Sequence, residues 1–133
     1  MKIIVDTCIW SLALRRDENT HALIVEELKK LIFDQKVQMI GPVRQELLSG
    51  IKSQKQFKTL KSCLSAFPDL TINTEDHELA AEFYNINRKK GIQGSNTDFL
   101  ICALSYHNQM SIFTNDMDFK KFSRNIPVTL HKI

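Results

Sequence analysis

Four acidic residues, Asp6, Glu46, Asp98 and Asp116, stand at comparable places along the chain, and their chemistry is that of a cation site. Asp6 ends the run Ile3-Ile4-Val5, whose β-branched residues read as a strand buried on both faces of a parallel sheet. Glu46 lies early in the helical stretch after a second short apolar run, Val37-Gln38-Met39-Ile40. Asp98 stands in the first turn of a third helical stretch, and Asp116 follows the apolar run Met110-Ser111-Ile112-Phe113-Thr114. In a parallel sheet the strand ends and the starts of the following helices share one side, and open α/β sheets bind ligands there. Four carboxylates on one edge repel one another, so without compensation at least one is expected to stay protonated. A divalent cation is the usual compensation. Oxygen donors without clustered His or Cys suit Mg²⁺ or Mn²⁺ better than Zn²⁺. Such a site can activate water and stabilise charge on a phosphoryl group.

Each acid also has a purely structural use. Asp98 follows Ser95 by three residues, so Ser95-Asn96-Thr97-Asp98 fits a capping box. Asp116 can cap a helix over residues 117–122, and Glu46 can be a solvated helix residue. Asp6 is the hardest to explain this way, because a buried strand rarely ends in an acid that has no partner.

The elements needed to bring these acids together can be read from the apolar pattern. Strands are expected at residues 2–6, 37–40, 70–72, 110–114 and 127–130, the last at a sheet edge because Pro127 cannot donate to a ladder. Helices are expected from a Thr20 cap to about 35, from Pro42 to 49 with Gly50 as terminator, over 52–64, from about 75 to 90 and from 97 to about 108. The helix beginning at 97 is apolar nearly all round and should be the most buried. Strand–helix alternation predicts an α/β fold of three layers, α/β/α, with a central, mostly parallel sheet of about five strands. No repeat or linker divides the chain, so residues 1–133 read as a single domain.

Composition narrows the function classes. A hydrophobic fraction of 43% and a charged fraction of 25% are those of a soluble globular chain, and a net charge of +3 permits an anionic partner without demanding one. The three cysteines, Cys8, Cys63 and Cys102, are odd in number and form no CxxC pair. They read as buried free thiols in a reducing cytoplasm, not as a disulfide framework or zinc site. The N-terminal apolar run is interrupted by Asp6, unlike a signal peptide, and no stretch approaches the length of a membrane span. Neither a G-x-G-x-x-G nor a P-loop is present. The histidines His21, His77, His107 and His131 are dispersed, away from the strand-end acids.

The ordered set Ile4-Val5-Asp6-Thr7 with Trp10, Glu46 after Pro42, Thr97-Asp98-Phe99-Leu100-Ile101-Cys102-Ala103, and Thr114-Asn115-Asp116-Met117-Asp118-Phe119 resembles the PIN-domain proteins of the VapC type. These are ribonuclease toxins of bacterial toxin–antitoxin pairs. The resemblance spans nearly the whole chain and implies a PIN-like fold. It also implies that Asp6, Glu46, Asp98 and Asp116 form an acidic Mg²⁺ or Mn²⁺ site for endoribonucleolytic hydrolysis of a structured RNA such as tRNA or rRNA, leaving a 5′-phosphate and a 3′-hydroxyl. Thr7 and Thr114 match hydroxyl positions near the metal. Asn115 occupies a variable position, and Asp118 is a second acid that could support or replace Asp116. A VapB-like antitoxin and a homodimer are implied as partners, with the helical stripes at 20–35 and 52–64 as places for such contacts.

Phosphate contacts are expected from Arg15 and Arg16 and from Arg88, Lys89 and Lys90, ahead of Lys52, Lys55 and Lys58. The low aromatic content favours recognition of RNA shape and backbone over base stacking. Three other classes fit less well. A receiver-type, phosphorylation-controlled signalling domain also binds Mg²⁺ at strand-end acids, but here Asp6 is followed by Thr7, and the last strand leads to His131 instead of lysine. A binding module without catalysis would not need all four acids. A haloacid-dehalogenase-type phosphatase needs Asp-x-Asp, and the second acid position holds Cys8.

Overall fold

The computed structural model describes residues 1–14 and 21–133. At its centre is a parallel sheet of three strands in the order β2-β1-β3, where β1 is Ile3–Val5, β2 is Val37–Gln38 and β3 is Ser111–Phe113. Ile3 pairs with Val37 on one side, and Ile4 and Val5 pair with Ile112 and Phe113 on the other. The strand that ends in Asp6 is therefore the central one. All of β1 is buried, as its run of β-branched residues requires.

The expected strands at 70–72 and 127–130 are each reduced to a single bridge, Met39 to Asp69 and Ile112 to Leu130, both parallel. At one margin the Leu70 N–H donates to Met39 O at 2.9 Å. At the other, Ile112 N–H donates to Thr129 O at 2.9 Å and His131 N–H to Ile112 O at 2.7 Å. Pro68 and Pro127 precede these contacts and supply no N–H, which keeps each margin short. The sheet is thus three strands wide with one further chain segment seated along each edge.

The helices follow the sequence pattern to within a residue or two. They are α1 (Thr7–Leu14), α2 (Ala22–Phe33), α3 (Gly41–Leu48), α4 (Gln54–Leu64), α5 (Thr74–Lys89), α6 (Asn96–Asn108) and α7 (Asp118–Ser123). Pro42 lies in the first turn of α3, and Gly50 just beyond it takes φ +85°. Ser53 caps α4 by accepting from Gln56 N–H, and Asn73 forms a capping box with Asp76 at the start of α5. The expected cap Thr20 lies outside the described residues; α2 begins at Ala22 after His21. Helix α1 packs on α2 and α3, α3 on α4, α5 on α6, and α6 on β3.

Helix α6 is the most enclosed, with every residue from Phe99 to Ser105 buried. Phe99 meets Phe122 at a ring-centroid distance of 4.6 Å, and Phe122 meets Phe119 at 5.3 Å. Gly94 closes over this aromatic group. A Cβ there would lie 2.5 Å from a Phe122 ring carbon and 2.9 Å from one of Phe99, so only glycine lets the chain pass on its way into α6. The cysteines divide differently from expectation. Cys102 is buried, but Cys8 is half-buried and Cys63 is exposed, because the stripe of α4 that turns inward is Leu60 and Leu64. Trp10 is core, packed edge-to-face on Phe67 at 5.1 Å.

Candidate acidic active site

Asp6 leaves the central strand at its carboxyl end and is 8% exposed. Both of its oxygens are held. Oδ1 accepts the Thr7 N–H at 2.8 Å and Oδ2 accepts the Thr114 hydroxyl at 2.8 Å. Because Thr7 starts α1 and Thr114 follows β3, the carboxylate is fixed between the first helix and the neighbouring strand.

A hydrogen-bonded chain continues from there to Asp116. Its N–H donates to the Thr114 hydroxyl at 3.0 Å, and its Oδ1 accepts the Asp118 N–H at 2.9 Å. Asp116 thus accepts from the first N–H of α7, but the cap position itself falls one residue later than expected, at Met117, and Asp116 stands exposed on the edge. Asp118 sits inside α7 with its carboxylate 3.9 Å from Lys121, turned along its own helix. Asn115 is exposed, and its backbone N–H donates to Cys8 Sγ at 3.3 Å.

Asp98 is placed by the anticipated capping box. Its N–H donates to Ser95 Oγ at 3.0 Å, and the Ser95 N–H donates to Asp98 Oδ2 at 3.1 Å. Burial pushes the Asp98 carboxyl above the usual range; the hydrogen bonds to Ser95 oppose that shift, and the charges of Asp6 and Asp116 add to it. Glu46, exposed on α3, is also raised, first by desolvation and then by the charges of Asp6 and Asp98. Glu46 thus lies within electrostatic reach of Asp6 and Asp98, and Asp98 within reach of Asp6 and Asp116. Among the described residues none of the four has a Lys, Arg or His partner.

The Thr7 hydroxyl is buried with no hydrogen-bond partner. It lies near enough to Glu46 to favour that group's charged form without making a bond of normal geometry. Among the described residues no three His, Cys, Asp or Glu side chains converge tightly enough to enclose an ion. The acids line an open edge, and mutual repulsion opposes closer approach. An all-oxygen set with one orphaned hydroxyl and two carboxyls made less acidic first by desolvation and then by neighbouring charge fits a hard divalent cation, which would relieve that repulsion.

Two contributors carry no acid, and the sequence pattern does not single them out. Cys8 Sγ accepts from Asn115 N–H and lies 3.5 Å from both Asp6 Oδ2 and Thr114 Oγ1, tying the Asn115–Asp116 turn to the start of α1. Burial pushes its thiol up, and the Asp6 charge adds to that, so it remains a thiol and not a thiolate. Its position two residues beyond a strand-end acid was the available signal. The second is Gly94, whose close approach to Phe99 and Phe122 fixes the turn that carries Ser95 and hence Asp98.

Of the basic residues expected near the substrate, Arg88 donates to the Tyr84 hydroxyl at 3.1 Å, and Lys89 and Lys90 are exposed at the end of α5, ahead of the loop that carries Ser95. Arg15 and Arg16 lie outside the described residues.

Known proteins resemble this chain over nearly its whole length. Ribonuclease VapC11 of Mycobacterium tuberculosis is 28% identical over 126 residues, covering 92% of each chain. In the crystal structure of FitAcB from Neisseria gonorrhoeae, a chain superposes with a TM-score of 0.78 at 20% identity, covering 98% of this chain and 96% of that one. A chain of VapBC2 from Rickettsia felis, bound to a DNA fragment from its promoter, gives a TM-score of 0.78 at 21% identity, with 98% of both covered. The model of the PIN domain matches residues 3–125, a span that includes all four edge acids, and the chain belongs to that family.

Proposed function

We propose that this protein is a metal-dependent endoribonuclease and the toxin of a toxin–antitoxin pair. The observation that carries the reading is the acidic edge itself. A buried Asp6 has both oxygens fixed, and Glu46, Asp98 and Asp116 are gathered around it with no basic partner among the described residues. Support also comes from relatives named VapC ribonuclease and from structural neighbours solved as toxin–antitoxin complexes. Membership of the PIN family sets the receiver-type signalling alternative aside.

Asp6, Asp98 and Asp116 would hold Mg²⁺ or Mn²⁺, with Glu46 completing the set or orienting the attacking water. Such an ion, when bound, supplies Lewis acidity toward the phosphoryl oxygens and toward the attacking water. The chain's own contribution is positional. Thr7 N–H and Thr114 Oγ1 hold Asp6 so that its lone pairs do not need to reorganise. Ser95 holds Asp98 at the N-terminus of α6, where the helix dipole favours negative charge. Thr114 sets Asp116 relative to Asp6 through one shared hydroxyl. Water attack on an RNA phosphodiester here leaves a 5′-phosphate and a 3′-hydroxyl.

A structured RNA such as tRNA or rRNA is the proposed substrate, with Arg88, Lys89 and Lys90 among its phosphate contacts. The proposed protein partners are a VapB-like antitoxin and a second copy of the chain. A basic antitoxin side chain at this edge would neutralise the same carboxylates as a cation. No helix among the described residues is long and apolar enough to cross a membrane, and we place the protein in the cytoplasm. The test is cleavage of tRNA and rRNA with Mg²⁺ or Mn²⁺. Cleavage should disappear on chelation and in Asp6→Ala or Asp98→Ala; a folded Asp6→Ala variant that cuts as fast as the parent would end this assignment.

A further inference from the structure

We propose that the exposed face of α7 is a phosphate-backbone surface that carries the RNA strand away from the acidic edge, with Lys120, Lys121 and Arg124 as its contacts. This rests on the ribonuclease reading and gives the substrate a path. Helix α7 begins two residues after Asp116, whose Oδ1 accepts the Asp118 N–H at 2.9 Å, so it leads directly out of the site. Phe119 and Phe122 turn inward and are fully buried. Lys120, Lys121 and Arg124 are left exposed, and their spacing of i, i+1 and i+4 puts them on one face of the helix.

That face adjoins the basic end of α5. Asn125, next to Arg124, donates through Nδ2 to Oδ1 of Asn87, next to Arg88, at 3.0 Å. Asn87 is fully enclosed, and its own Nδ2 donates to Phe83 O at 2.9 Å. A buried amide bonded at both ends fixes the two segments at one spacing. The rings beneath hold the same arrangement. Tyr84, whose hydroxyl accepts from Arg88, meets Phe99 at 5.6 Å, and Phe99 meets Phe122 at 4.6 Å. Arg88, Lys89 and Lys90 thereby extend the cations of α7. From Phe83 to Thr97 and from Met117 to Asn125 the only carboxylate is Asp118, and its contact with Lys121 is long and exposed, at 3.9 Å. Six cations beside one acid attract a polyanion. A strand cut at the edge has to leave it over a neighbouring element, and α7 is the element that starts at Asp116. That continuity favours a phosphate backbone over an acidic protein segment as occupant.

Two measurements test this. The first is binding of a labelled single-stranded RNA across a salt series, read by fluorescence anisotropy with chelator present to hold off cleavage. Lys120, Lys121 and Arg124 are exposed, so replacing them leaves the core untouched. The double variant Lys120→Gln, Lys121→Gln should bind about 3–10-fold more weakly and lose about 1.4 from the salt slope, at about 0.7 for each phosphate contact on a single strand. Arg124→Gln should lose about 0.7, and Arg124→Lys should keep the parent's slope. With Mg²⁺ the loss should appear in KM before kcat. The second is lysine acetylation read by peptide mass spectrometry: RNA should slow it at Lys120 and Lys121 but not at Lys29, exposed on α2. A parent that cleaves RNA while the double variant matches its binding and both lysines stay unprotected overturns the surface and leaves the nuclease standing. Protection and a lowered slope in a parent that cuts no RNA support the surface and sink the nuclease reading. Protection by polyglutamate as great as that by RNA assigns the face to an acidic protein segment and overturns the proposal.

Discussion

Asp76 is as enclosed as Asp6, at 4% against 8% exposed, yet the two acids have opposite company. Asp76 has His107 Nδ1 at 2.6 Å, and on the other side of the molecule Glu27 has His131 Nε2 at 2.6 Å. Asp6 has hydroxyl, thiol and amide neighbours, Glu46 and Asp98 within electrostatic reach, and Asp116 joined to it through the Thr114 hydroxyl. Helix α6 carries both arrangements. Asp98 stands in its first turn, and His107, which pairs with Asp76 from α5, stands in its last. The two are separated by about 14 Å at about 1.5 Å per residue. Where this chain encloses an acid to hold its fold together, it supplies the counter-group from its own side chains. Where it gathers four acids and supplies none, the counter-charge has to come from outside.

The most severe way to break that contrast is at Asp6. Asp6→Asn keeps an oxygen for the Thr7 N–H, turns an amide N–H toward the Thr114 hydroxyl, which can accept it, and removes the charge. RNA cleavage should fall by about 10³-fold or more, the scale of several kcal/mol of charge stabilisation. The melting temperature should change little. Single-turnover cleavage and a thermal melt on the same preparation check it; a large loss of stability with residual activity would make Asp6 a structural residue.

Gly94→Ala attacks the site through packing instead. The added methyl meets the Phe99 and Phe122 rings at distances real Cβ atoms do not adopt. Both rings are fully buried, so the strain should cost about 1–3 kcal/mol. Denaturant unfolding measures this. Cleavage by the remaining folded protein should also drop, because the turn that moves is the one carrying Ser95 and Asp98.

His107→Ala probes the compensated region. It leaves Asp76 buried with only the Asn73 N–H, accepted by Oδ2 at 2.8 Å. The expected loss is about 1 kcal/mol, the low end for an unpaired buried group, because the His107 ring is itself about a third exposed. Asp76→Asn in the His107→Ala background should recover part of it. Loss of RNA cleavage by folded His107→Ala would join the two regions and void the comparison.

How much of this was legible in the sequence depends on the range of each interaction. The buried strand β1, the capping box at Ser95–Asp98 and the burial of α6 rest on patterns within one element, and a single chain displays those. The sheet margins were overdrawn, since one bridge and a strand look alike when only propensity is visible. The pairs Asp76–His107 and Glu27–His131 join residues 31 and 104 positions apart, and nothing local marks them. Cys8 looked like a core thiol because its contact with Asn115 spans 107 positions. Gly94 could be seen as a loop glycine, but not that Phe122 would lie over it.

Glu46→Gln carries the smallest expected effect and tests the contrast most directly. The folded-state pKa of Glu46 is raised, so at pH values below the ordinary glutamate range both folded and unfolded forms are protonated and the residue contributes nothing. As pH rises from that range through the folded value, the unfolded state ionises first, and the carboxylate becomes a net cost to the fold that persists at neutral pH. Glu46→Gln removes that cost. In chelator at pH 7 the variant should be slightly more stable than the parent, by well under about 1 kcal/mol for so exposed a group, and the difference should vanish in acid. Adding Mn²⁺ should reverse the order, because an ion that binds only the folded state stabilises by RT ln(1 + [L]/Kd), and the parent offers it the fuller set of carboxylates. Replacing one of the histidine-paired acids should show neither the gain in chelator nor the reversal. If Glu46→Gln proved less stable than the parent in chelator and indifferent to Mn²⁺, Glu46 would be an ordinary helix residue and the acidic edge would have to work with three carboxylates.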